Sequence, residues 1–114
     1  MDYSAQKDKT VSLSSNGNTR QFFVENVVYI ESKKKEIMVY LNVGEPEIIF
    51  NRLKEVEGKL KEYDFYQINR NLIVNLRYFK MFENTEKRCF SIKSGKNMTV
   101  SRRKWCEFKK KVKK

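Results

Sequence analysis

Punctuation constrains this chain more than any single motif does. Between Val11 and Phe50, runs rich in β-branched and aromatic residues alternate with turn-forming clusters, and no gap between consecutive runs exceeds six residues. A parallel strand pair needs a crossover of about a dozen residues or more, so successive runs must pair antiparallel. Val11–Leu13 and Thr19–Val24 flank an Asn16-Gly17 step, the strongest short-range signal for a hairpin. Val27–Ile30 reads as a buried strand, residues 31–36 as a charged loop, and Ile37–Leu41 as the next strand. A turn over residues 42–46, containing Pro46, then returns the chain along Glu47–Phe50.

The period changes at Asn51. Leu53, Val56, Leu60 and Tyr63 recur at helical spacing with charge on the other face, which predicts one internal helix over residues 51–62. Asn51 suits its N-cap, and Gly58 weakens it by about 1 kcal/mol relative to alanine. Short strands resume over residues 66–68, 72–75, 77–82, 88–93 and 98–100. From Ser101 the spacing of Trp105, Phe108 and Val112 predicts a short basic C-terminal helix, with Ser101 as its cap. The expectation is a mainly β, mostly antiparallel domain over residues 11–114, preceded by a flexible segment over residues 1–10. The internal helix covers an open side of a sheet.

Charge bears on the partner. The 25 Lys and Arg against 14 Asp and Glu give a net charge of +11, which points to a polyanion. The chain has no histidine, which removes Ser–His–Asp, Cys–His and HExxH chemistry. Its three aspartates include Asp2 and Asp8 in the polar N-terminal stretch, a poor supply for a two-metal nuclease. Glycines occur singly, so no phosphate-cradling loop exists. Cys89 and Cys106 fit no metal spacing and read as free thiols of a cytoplasmic protein. No apolar stretch is long enough to span a bilayer and no secretory signal is visible. Neither metal nor other cofactor is expected, and no membrane.

Three segments offer the Arg, Lys and Asn groups that base readout requires: Ser32 to Lys35, Asn69 to Asn71, and Ser101 to Lys104. Each also has a plain reading, as a solvated turn, a left-handed turn, or a helix first turn. Arg102 and Arg103 oppose the macrodipole of the helix they open, which suggests an anion nearby. Asn75, directly after Leu72-Ile73-Val74, reads as structural. Tyr29, Phe65, Phe79, Phe82 and Phe90 read as core rather than as a stacking platform. Two rivals to nucleic-acid binding stay open. One is a histidine-free phosphodiester enzyme using Lys, Arg and Glu; the other is a basic module docking on acidic membrane or protein through Lys109 to Lys114.

Four stretches together resemble the LytTR-type DNA-binding domain of bacterial response regulators. They are FVENVVYIES from Phe23, FNRLKEVEGKL from Phe50, FYQINRNLIVN from Phe65 and VSRRK from Val100. The third is similar to the family's F-x-x-x-H-R-S-x-I-V-N signature. Asn69 stands where the family usually has histidine, and Asn71 where it has serine; Asn69 donates and accepts hydrogen bonds but carries no charge. The resemblance implies an elongated stack of small sheets with a helix at the side. It also implies a non-enzymatic transcription regulator that binds double-stranded DNA through loops entering successive major grooves and bends the duplex. By position, Lys35, Arg70 and Arg103 become the base-reading candidates, with Lys33, Lys34, Asn69 and Arg102 as neighbours contacting phosphate or base. Further expected partners are an N-terminal receiver domain lying outside these residues and a second copy on the DNA.

Overall fold

The computed structural model describes residues 9–113. The flexible segment expected over residues 1–10 lies outside the described residues up to Asp8, while Thr10 already belongs to the first strand. Strands β1 (Thr10–Ser15) and β2 (Asn18–Phe23) form the expected antiparallel hairpin. Asn16 and Gly17 at its tip have φ of 54° and 88°. Positive φ at both central residues makes the turn whose twist matches that of the strands it joins.

A second sheet has five strands in the order β5-β4-β3-β7-β6. Its members are β3 (Val27–Lys33), β4 (Glu36–Leu41), β5 (Glu47–Ile49), β6 (Phe65–Asn69) and β7 (Leu72–Asn75). A third sheet of three strands has the order β10-β9-β8, from β8 (Phe79–Asn84), β9 (Cys89–Ile92) and β10 (Asn97–Thr99). All pairings are antiparallel. Helix α1 (Leu53–Leu60) interrupts the second sheet between β5 and β6, and α2 (Arg102–Val112) follows β10.

The five-stranded sheet is the partition between two cores. Val27, Ile30, Ile37, Val39 and Ile73 face a cluster completed by Val11, Leu13 and Phe22 of the first hairpin and by Leu53, Val56 and Leu60 of α1. Val28, Tyr29 and Val74 face the other cluster, with Phe90, Ile92, Met98 and Phe108. Both faces of the Leu72–Asn75 strand therefore meet protein, which is why its apolar run does not alternate. Each fully buried Val, Leu or Ile on this partition contributes about 1.5–3 kcal/mol relative to exposure. The core aromatics sort as expected for Tyr29 and Phe90, which are buried, while Phe65, Phe79 and Phe82 are half-buried against the clusters.

Several local expectations are corrected. Residues 31–36 are not a loop: β3 runs through Lys33, Lys33 pairs with Glu36, and only Lys34 and Lys35 form the tip. Cross-strand pairing of Ser32 with Ile37 outweighs the low β-propensity of the charged run. Helix α1 starts at Leu53, and Asn51 does not cap it. The Asn51 side chain instead donates from Nδ2 to the Ser14 carbonyl at 2.9 Å and accepts from the Arg52 N–H at 2.6 Å, binding the first hairpin to the helix entrance. Ser101 does occupy the N-cap position of α2 but makes no side-chain cap bond. Arg77 lies in a 3₁₀ turn, Leu76–Tyr78, before β8 begins.

Candidate nucleic-acid interface

Register brings the candidate segments to one end of the partition. Lys33 opposite Glu36 closes the β3–β4 hairpin there. Ile49 opposite Ile37 brings β5 out at the same end, so Phe50, Asn51 and Arg52 emerge beside the lysine tip. Leu72 opposite Glu31 does the same for the β6–β7 turn, and the Ser32 N–H donates to the Asn71 carbonyl at 2.8 Å. The start of α2 is tied in by Ser101 N–H donating to Ile68 O at 2.9 Å and Asn69 Nδ2 donating to Thr99 O at 3.1 Å. The hairpin tip at Asn16 joins the same end through its N–H to Phe50 O at 3.3 Å.

Two open clefts result. One is lined by Asn16, Ser32, Lys34, Lys35, Phe50 and the Asn51–Leu53 link. The other lies between the first two turns of α1 (Leu53, Lys54, Glu57), the Asn69-Arg70 turn and Ser101, Arg103 and Lys104. Leu53 lines both, so the start of α1 is the ridge that divides them. Sequence reasoning anticipated Lys34, Lys35, Arg70 and Arg103 here and missed Arg52 and Lys54. Those two were read only as the polar face of a helix; the signal that would have placed them is β5 entering the helix from the same sheet end.

The predicted residues are not equivalent. Lys34, Lys35, Arg70 and Arg103 are exposed and form no ion pair among the described residues. Lys33 ends a strand, with its Nζ 4.0 Å from Glu31 Oε1. Arg102 is exposed on the first turn of α2 but does not line the cleft that Arg103 lines. Asn69 is not a free group: Nδ2 holds Thr99 O, and Oδ1 accepts the Asn71 N–H at 2.8 Å. Its amide thereby locks the Arg70 turn and couples it to β10. Gln67 reinforces the turn from below, donating Nε2 to Asn69 O at 3.1 Å.

Behind the cleft, Tyr66 fastens α2 to β6. Its hydroxyl donates to Glu107 Oε1 at 2.9 Å, and Lys104 and Lys111 lie over its ring at 5.5 and 5.6 Å. Burial pushes the Tyr66 phenol well above its ordinary value, and the bond to Glu107 and that carboxylate's charge push it further. Among the described residues no group of His, Cys, Asp and Glu is placed to hold a metal ion, and no helix is long and apolar enough to cross a membrane.

A cation-lined end built from turns and a helix start, with its polar side chains braced from within, is chemically suited to a phosphate-rich ligand. Relatedness agrees. The solved LytTr DNA-binding domain of a putative methyl-accepting/DNA response regulator from Bacillus cereus has the same fold. It matches with a TM-score of 0.73 at 23% identity, over 94% of this chain and 99% of that one. No curated protein matches the chain. The family model of the LytTr DNA-binding domain matches residues 17–113, nearly the whole of the described structure. The chain belongs to the LytTr DNA-binding domain family and is a DNA-binding domain of the kind that serves transcription regulation.

Proposed function

We propose that this domain binds double-stranded DNA sequence-specifically, with its turns entering major grooves from one end of the partition sheet. One observation carries the reading: register and hydrogen bonds converge the Lys34-Lys35 tip, the Arg70 turn and the Arg103 turn on one surface. Lys35, Arg70 and Arg103 are the base-reading groups, since a guanidinium on a braced turn can meet guanine O6 and N7 together. Lys33, Lys34 and Arg102 supply phosphate contacts, and Asn69 acts by holding Arg70 in place. In the intact regulator an upstream receiver domain gates the module, two copies share one operator, and the site of action is the cytoplasm.

The test is selection of binding duplexes from random sequence, followed by titration of variants against the selected duplex. Arg70→Ala and Arg103→Ala should each weaken specific binding by about 1–3 kcal/mol while relaxing preference at one position. Variants that bind the selected duplex as the parent does would sink the residue assignment. Stoichiometry on that duplex, by sedimentation, reports whether two copies bind.

A further inference from the structure

We infer that Arg52 and Lys54, at the start of α1, grip the sugar–phosphate backbone between the two groove-entering tips. The inference rests on the proposed DNA-facing role of those tips and extends it to a surface that neither turn supplies. Leu53 is buried and common to both clefts, so its neighbours flank a ridge: Arg52 lines the cleft of Lys34 and Lys35, and Lys54 lines the cleft of Arg70 and Arg103. Successive major grooves of a duplex are separated by the minor groove and the phosphate strands that border it. If the lysine tip enters one major groove and the Arg103 turn the next, the ridge between them faces a strand bordering that minor groove. Arg52 and Lys54 are exposed and form no ion pair among the described residues, so their charge is available to a partner.

The ridge is also held still. Asn51 ties its entrance to Ser14, and the Arg52 carbonyl accepts the N–H groups of Glu55 and Val56 at 3.1 and 3.2 Å. Val56 and Leu60 are buried below it. A cation on such a support spends little order on meeting a phosphate. Glu57 is the acid on this wall, one helical turn from Lys54. Facing the same strand, it opposes binding and limits non-specific retention.

Arg52→Ala/Lys54→Ala is compared with the parent domain by fluorescence anisotropy, on a random-sequence duplex and on the duplex selected from random DNA, over a range of salt. Two lost phosphate contacts should reduce the slope of log K against log salt by about 2. Affinity should fall by a similar factor on both duplexes, leaving their ratio unchanged. Arg52→Lys/Lys54→Arg should restore affinity, and Glu57→Gln should tighten both duplexes. Lys59→Ala/Lys61→Ala removes the same charge from the other end of α1 and should leave the slope near the parent's. Equal slopes for the two double-alanine variants, with thermal midpoints showing both folded, overturn the inference. A parent that binds neither duplex instead refutes the DNA-facing role of the tips, so the two failures are told apart.

Discussion

Asn75 is fully buried, and each of its polar atoms is used. Nδ2 donates to Val27 O at 2.8 Å and Val24 O at 3.4 Å, while Oδ1 accepts the Arg77 N–H at 3.1 Å. Alanine there would delete all three bonds from a buried position; Val24 O keeps the Val27 N–H, and a buried backbone group left without a partner costs about 1–3 kcal/mol. Asn75→Ala should therefore lower the denaturant midpoint sharply, with DNA affinity of the surviving folded fraction intact. Lys34 presents the opposite case. Its φ of 55° is left-handed, a conformation costing a side-chain-bearing residue about 1–2 kcal/mol and one that asparagine tolerates better. Lys34→Asn should raise the thermal midpoint and weaken DNA binding together; a variant that gains stability without losing affinity would remove Lys34 from the interface. Tyr29 gives a pH signature. Burial first, then the charges of Tyr40 and Glu31, push its phenol from 10.0 up to about 12. The folded chain keeps a proton there that the unfolded chain has lost. Stability should thus be indifferent to this group below pH 10.0 and should fall as pH climbs from there toward about 12. Denaturant titrations across that window should show Tyr29→Phe falling less steeply than the parent.

At the scale of elements, the two helices answer to their tertiary contacts more than to their caps. Ser101 sits at the cap position of α2 without a cap bond, whereas Phe108 is fully buried among Tyr66, Phe79, Phe82 and Phe90. Ser101→Ala should change stability far less than the ~1 kcal/mol of a working N-cap. Phe108→Ala should cost about 3–5 kcal/mol, which chemical denaturation would read directly. This contrast marks what was legible in the sequence. Strand runs, the Asn16-Gly17 turn, both helices and the antiparallel pairing could be read because periodicity and turn chemistry are local. The extent of β3 into Lys33 was hidden because pairing within its own hairpin overrides the low β-propensity of a charged run. The diversion of Asn51 to Ser14 and the engagement of Asn69 with Thr99 could not be read, because each depends on a partner far along the chain. The same limit explains the site. Charged turns were visible one by one, but Arg52 and Lys54 became candidates only once β5 delivered them to the same end.

For the molecule as a whole, charge is distributed along the partition sheet. Lys34, Lys35, Arg52, Lys54, Arg70, Arg103 and Lys104 line the clefts at the end bearing the tips, while Glu25, Glu62 and Asp64 line a cleft with Lys9 and Arg77 at the end where Val24 N–H meets Lys9 O. Such polarity orients an approaching polyanion before contact and makes encounter sensitive to salt. Stopped-flow association rates should fall steeply with ionic strength, and Asp64→Asn should leave them nearly unchanged, because that carboxylate lies at the far end. The core on the α2 side of the partition also gives the protein a built-in optical gauge. Its single tryptophan, Trp105, rides on α2 with Phe82 edge-on at 5.7 Å and Lys109 over its ring at 5.3 Å. Its emission colour reports whether α2 is seated, so a duplex that touches only the braced turns will leave the spectrum where it was, and a red shift on mixing will reveal a helix prised from its bed.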